Sequence, residues 1–121
     1  MIIGVGTDIL EIDRIKAMKD SIRDRIFTAE ERRQADGNFS MLAGDFACKE
    51  AVAKSFGTGF RNFRPEDIEI LRDSLGKPYA KLYRGAQKQF ETLNGNTIHL
   101  SISDTQSLVI GFAVLEKAED Q

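Results

Sequence analysis

The chain has 121 residues but only one cysteine, Cys48, one histidine, His99, and no tryptophan. A single cysteine excludes a disulfide framework and fits a reducing compartment, so the cytosol is the expected location. No apolar run approaches the roughly 20 residues of a membrane span. The opening Met-Ile-Ile-Gly-Val-Gly is apolar but too short and uncharged for a secretory leader. Net charge is only −2, which gives no overall pull toward nucleic acid or membrane. Internal repeats and low-complexity segments are absent, as are a cysteine–histidine cluster for zinc and a Walker motif. Ser101 and Ser103 lack the setting of a nucleophile elbow. What is present is a hydrophobic fraction of 41% with 30% charged residues, the balance of a folded globule rather than a disordered chain. At this length one domain is expected.

The stretch that organises the chain is residues 39–60. Most of it reads as one long helix, from about Phe39 to Phe56, stopped by Gly57. With Leu42 at zero and a helical step between residues, Phe39, Phe46, Ala53 and Phe56 fall within about 60° of it. Lys49 falls inside this core-facing stripe and Glu50 at its edge, one turn from Lys54. An ammonium among phenylalanines is costly unless an anion meets it. The local alternatives are a Lys49 that snorkels and an ordinary Glu50–Lys54 pair at i,i+4.

Before this helix, residues 2–7 read as a short strand. Gly4 and Gly6 in its interior imply close packing or close approach of a ligand. A helix is expected from about Ile9 to Asp20 or beyond, with Ile12, Ile15, Met18 and Ile22 on one face. Asp8 and Glu11 have the spacing of a capping box. The other face of that helix and its extension carries Arg14, Lys16, Lys19, Arg23 and Arg25. That is either a solvated face balanced by Asp13, Asp20 and Asp24 or a docking surface for an acidic partner. Thr28 caps a short helix, Ala29 to about Ala35.

After the long helix, Gly57-Thr58-Gly59 forms a loop whose amides either face an anion or simply stop the helix. Residues 67–71 and 79–82 read as a hairpin, joined by a turn that contains Lys77, and a helix follows from about Tyr83 to Leu93. Thr97 to Ser103 alternates cleanly, with Ile98, Leu100 and Ile102 on one face and His99, Ser101 and Ser103 on the other. Ser107 to Leu115 is apolar on both faces and reads as a central strand. The remaining pool for chemistry is two carboxylates, Asp8 and Glu50, with Lys49, Lys54 and Lys77. Two carboxylates without a histidine or thiol partner suit a hard cation such as Mg²⁺, which completes its shell with water and substrate phosphates. Lysines around them would neutralise phosphate charge, the kit of phosphoryl transfer.

Four segments then carry a resemblance: Gly4-Val-Gly-Thr-Asp-Ile-Leu-Glu-Ile-Asp-Arg-Ile15, Phe46-Ala-Cys-Lys-Glu-Ala-Val-Ala-Lys54 with Gly57-Thr-Gly59, Gly76-Lys-Pro78, and His99-Leu-Ser-Ile-Ser103. In order and spacing the chain resembles the holo-[acyl-carrier-protein] synthases, the small group of 4′-phosphopantetheinyl transferases. The resemblance implies a compact single-domain α+β fold, an antiparallel sheet packed on a long central helix, and a homotrimer with sites between subunits. It implies transfer of the 4′-phosphopantetheine arm of coenzyme A to a serine of apo-acyl carrier protein, releasing adenosine 3′,5′-bisphosphate. By position, Asp8 and Glu50 would hold Mg²⁺. Catalysis would fall to Glu50, Lys54 and Asp8, with Glu50 or a metal-bound water taking the serine proton. Lys49, Lys54, Gly57, Thr58, Gly59, Lys77, His99 and Ser101 would contact coenzyme A. Arg14, Met18, Lys19, Ile22 and Arg23 would dock the acyl carrier protein. One departure is Asp45, where the family usually has arginine; the lost cation would weaken coenzyme A binding unless Arg61, Arg64 or Lys77 replaces it.

Overall fold

Three glycines set how closely the long helix lies on the sheet. The computed structural model describes residues 1–119. In chain order it contains β1 (Ile2–Glu11), α1 (Ile12–Lys16), α2 (Asp20–Ile26), α3 (Ala29–Ala35) and α4 (Phe39–Ser55). A 3₁₀ turn (Pro65–Asp67) leads to β2 (Ile68–Arg72), β3 (Pro78–Leu82), α5 (Arg84–Thr92), β4 (Thr97–Asp104) and β5 (Leu108–Glu116). The expected α+β architecture is present. One antiparallel sheet has the order β1-β5-β4, and β2 and β3 form a separate hairpin. β5 is the central strand, as its two apolar faces indicate.

A Cβ on Gly4 would stand 1.9 Å from the Ser55 carbonyl oxygen, and one on Gly6 would stand 1.9 Å from that of Ala51. One on Gly111 would stand 2.6 Å from the Ala47 carbonyl carbon. Ala47, Ala51 and Ser55 are four residues apart and form a single row on α4. The glycines of β1 are therefore a bed for the helix backbone, not an opening for a ligand.

This close contact corrects the expected apolar stripe. α4 is buried without a break from Leu42 to Lys49 and again from Ala51 to Ala53. The sheet covers one side of it, and α1, α3 and the β2–β3 hairpin cover others. A helix enclosed on several sides has no single core face. One apolar cluster, near its end, joins Phe56, Phe63, Ile68, Ile70 and Leu115. Another, near its start, joins Leu10, Ile15, Phe27, Leu42 and Phe46.

A second correction concerns residues 8–20. β1 runs on to Glu11 because Ile9, Leu10 and Glu11 pair with Ile110, Val109 and Leu108 of β5. Only then does a helix begin, and it breaks into α1 and α2 around Ala17–Lys19. Asp8 is a strand residue, so the Asp8–Glu11 capping box does not form; Glu11 precedes α1 without any side-chain cap. A continuous hydrogen-bond ladder has overridden a local helical pattern. By contrast, Thr28 and Glu31 form the reciprocal capping box of α3.

On the sheet face turned away from α4, Val5, Ile9, Ile110 and Phe112 lie open, each at least 41% exposed. Among the described residues no helix is long and apolar enough to cross a membrane.

Candidate active site

β1 delivers Asp8 on its inward face, between buried Gly6 and Leu10. α4 delivers Glu50 and Lys54, one turn apart. The Lys54 ammonium donates to the Thr7 carbonyl at 2.8 Å and to Asp8 Oδ1 at 3.3 Å. Lys54 therefore bridges to the strand, and of the two local alternatives the ordinary pair with Glu50 does not form. Burial pushes the Glu50 carboxyl above its ordinary range, and the Asp8 charge pushes it further; Lys54 and Arg14 pull it back. Two acidic groups forty-two positions apart thus feel each other's charge at the open edge of the sheet–helix sandwich. A lysine and an arginine stand beside them.

This donor set suits a hard divalent cation. It offers carboxylate oxygen only, and like charges that repel gain most from a shared counter-ion. No group of three or more histidine, cysteine or carboxylate side chains forms a metal cage among the described residues. A site of two carboxylates would leave most of the shell to water and substrate, the habit of Mg²⁺.

Lys49 has a different place from the one expected. Its Nζ donates to Glu31 Oε1 at 2.8 Å, to the Pro65 carbonyl at 3.0 Å and to the Ile68 carbonyl at 2.6 Å. The side chain has no exposure at all, so it cannot meet a substrate phosphate. The anion it needs comes from α3 of its own chain. Glu31 is satisfied in turn by the Thr28 and Ile70 amides. Nothing in the local sequence signalled this partner except the capping-box spacing of Thr28 and Glu31.

Gly57 and Gly59 both adopt positive φ, at 81° and 63°. Their amides donate to the Lys54 and Ala53 carbonyls. The loop closes the helix end, so these two amides are not offered to an anion. Thr58 donates its hydroxyl to the Gly59 carbonyl.

Lys77 is exposed in the hairpin turn. Arg72, cross-strand from Pro78 next to it, reaches Gly44, where Ile102 of β4 also packs. The hairpin turn and the Ile102 end of β4 therefore converge on the first half of α4. His99 and Ser101 are exposed on the outer face of β4, and His99 Nε2 lies 3.0 Å from Glu116 Oε1. β1 and β4 are opposite edges of the sheet, so one subunit does not bring His99 and Ser101 to Asp8 and Glu50.

Asp45 is buried, and Arg72 donates to its Oδ1 from Nε at 3.1 Å and from Nη2 at 2.9 Å. Burial nonetheless outweighs the guanidinium and raises the Asp45 carboxyl to about 7. Arg72 is thus the cation that meets the buried Asp45 within the core.

On the docking face, Arg14 and Lys19 are exposed and Ile22 is 42% exposed. Met18 packs partly into the core. Arg23 is occupied: it donates to the Ile15 and Lys16 carbonyls, pairs with Asp20, and lies 5.1 Å over the Phe39 ring. It straps α2 to α1 and α4, a role the run of basic residues concealed.

Known proteins match this arrangement over almost its whole length. The profile of the 4′-phosphopantetheinyl transferase superfamily covers residues 4–113. A holo-[acyl-carrier-protein] synthase of Lachnoclostridium phytofermentans is 43% identical over 118 residues, 96% of this chain and 97% of that protein. The holo-[acyl-carrier-protein] synthase structure from Neisseria meningitidis is 38% identical and superposes with a TM-score of 0.86, covering 97% of this chain and all of that one. The Bacillus anthracis synthase, solved in complex with coenzyme A (3′,5′-ADP), is 35% identical with a TM-score of 0.81 over 98% of this chain and 99% of its own. The chain belongs to the 4′-phosphopantetheinyl transferase superfamily, within its group of holo-[acyl-carrier-protein] synthases.

Proposed function

We propose that this chain transfers the 4′-phosphopantetheine group of coenzyme A to a serine of apo-acyl carrier protein through the Asp8–Glu50 cluster, with Mg²⁺ as its metal. Adenosine 3′,5′-bisphosphate is the other product. The observation that carries the reading is that Lys54, one helical turn from Glu50, reaches Asp8 Oδ1 at 3.3 Å, so both carboxylates gather around one ammonium. Asp8 and Glu50 would hold the ion, and the group supplies Lewis-acid polarisation of the phosphate under attack. Lys54, half exposed, can turn from Asp8 toward the pyrophosphate and offset its charge. Glu50 is the residue best placed to accept the proton of the serine hydroxyl, since it shares the cluster and opens to solvent on one side.

The active assembly is a homotrimer in the cytosol. Val5, Ile9, Ile110 and Phe112 form an apolar sheet face too open for a finished monomer. His99 and Ser101 lie on that same outer face, so a second copy could present them to the first copy's Asp8 and Glu50. Arg14 and Lys19 supply the positive end of the carrier docking face, with Ile22 as its apolar contact.

The deciding experiment is mass spectrometry of apo-acyl carrier protein incubated with this chain, coenzyme A and Mg²⁺. A gain of one phosphopantetheine group per carrier is expected. An unmodified carrier under conditions where a known synthase modifies it would sink the reading.

A further inference from the structure

Three clefts share walls on the side of the molecule built by α2, the 3₁₀ turn and α5. The first, about 520 Å³, lies between α2 and the 3₁₀ turn, with Ile22, Ile26 and Pro65 as its apolar lining and Arg25 at its rim. Arg64 and Glu66 also line the second, about 500 Å³, which continues to Arg84. Asn62 and Gly85 line both the second and the third, about 270 Å³, where Arg61 and Lys88 stand.

The trough carries five cations, Arg25, Arg61, Arg64, Arg84 and Lys88, against two carboxylates, Glu66 and Asp67. Asp67 is already engaged: its Oδ1 accepts from Arg84 Nε at 2.6 Å and its Oδ2 from the Arg64 amide at 3.1 Å. Glu66 reaches only Arg64, at 3.9 Å. A surplus of three positive charges on a chain whose total is −2 is a strong local field. None of these residues belongs to the Asp8–Glu50 cluster.

We propose that this trough receives an acidic segment of the carrier protein, extending its docking from α2 past the 3₁₀ turn to α5. This rests on the transfer reading above. The apolar end beside Ile22 adjoins the face that carries Arg14 and Lys19, so a carrier seated there meets the trough next. Ile22, Ile26 and Pro65 accept an apolar side chain, and the cations beyond them accept carboxylates. The cations are strung along three clefts instead of converging on one point, which fits a chain segment better than a single phosphate.

The test is direct titration of apo-carrier into the full chain without coenzyme A, together with steady-state kinetics. Lys88→Glu changes an exposed residue at the far end of the trough. It is expected to weaken carrier binding by about fivefold at low salt, with the difference shrinking as salt screens it. Lys88→Arg is expected to bind as wild type, and Glu66→Gln to bind more tightly. The KM for coenzyme A stays unchanged in all three. If the wild-type chain transfers the arm and Lys88→Glu binds the carrier like wild type, the trough proposal is overturned alone. A raised KM for coenzyme A with unchanged carrier binding overturns it too, by assigning the trough to the nucleotide. A wild-type chain that neither binds nor modifies the carrier overturns both this inference and the transfer reading.

Discussion

The Lys49 ammonium and the Glu31 carboxylate form an ion pair at 2.8 Å with no solvent exposure on either side chain. The pair joins α4 to α3 and, through the Ile68 carbonyl and Ile70 amide, to β2. Because Glu50 is the next residue along α4, this tether helps fix the angle at which Glu50 leaves the helix. Losing one partner strands the other charge in the core. Lys49→Met should therefore cost about 3–5 kcal/mol in urea denaturation. The double variant Lys49→Met/Glu31→Leu should recover part of that loss. If Lys49 gripped substrate instead, the change would appear in the KM for coenzyme A with stability intact.

Gly6→Ala tests the bed of the helix. Its Cβ would stand 1.9 Å from the Ala51 carbonyl oxygen, which is backbone and cannot swing aside. The strand or the helix must shift, at a cost of about 1–3 kcal/mol or more. Since Asp8 lies two residues on, transfer activity should fall further than the loss of folded protein explains. Calorimetry beside an activity assay separates the two effects.

Asp8→Asn and Glu50→Gln should each lower the transfer rate by about a hundredfold or more while the fold persists. Each change removes a like-charge repulsion but also an attraction to Lys54, so melting temperatures should change little. Chelation of divalent cations should mimic the loss, and added Mg²⁺ should reverse it. Near-wild-type turnover in either variant would remove the metal site from these residues.

Asp45 gives a pH signature. Its carboxyl is raised in the folded chain to about 7 from an ordinary 3.8, so the native state holds this proton over a window where the unfolded chain has released it. The associated stability is fully present below about pH 4 and is lost as pH rises through about 7. Asp45→Asn should flatten that slope by an amount on the order of a few kcal/mol across the window. Urea midpoints at pH 5 and pH 8 measure it; equal slopes in both proteins would show that Arg72 keeps Asp45 ionised throughout.

The outer sheet face predicts assembly. Phe112 is 43% exposed beside Ile9 and Ile110, so Phe112→Asp should shift a trimer to monomer in analytical ultracentrifugation. If His99 and Ser101 serve a neighbour's site, activity should fall with assembly. A fully active monomeric variant would confine the site to one subunit.

The elements that could be read from the chain are those whose signal is local. Thr28 and Glu31 announce the start of α3, Asp36 and Gly37 its end, and Gly57 the end of α4, because capping and positive φ involve only a few neighbouring residues. The alternation of Ile98, Leu100 and Ile102 with His99, Ser101 and Ser103 likewise shows which side of β4 faces the core. Residues 9–20 misled because their helical spacing is real, yet Ile9 and Leu10 gain more from pairing with Ile110 and Val109 than from a helical turn.

The sequence alone determined the family, the acidic and basic residues available for chemistry, and the order of most elements, since these depend on residue types and short spacings. Only the tertiary structure decided which of those charges are usable. Arg23 reads as one of a run of solvated cations, but the fold consumes it; Lys49 needs an anion by its place in the stripe, and only the fold shows that Glu31 supplies it. Asp8 and Glu50 can be paired from residue type and family position, but it is the glycine bed of β1 that brings strand and helix close enough for their charges to interact. Proximity between residues far apart in the chain is set by packing; Gly4 and Gly6 mark a close approach in the local pattern, but not which backbone makes it.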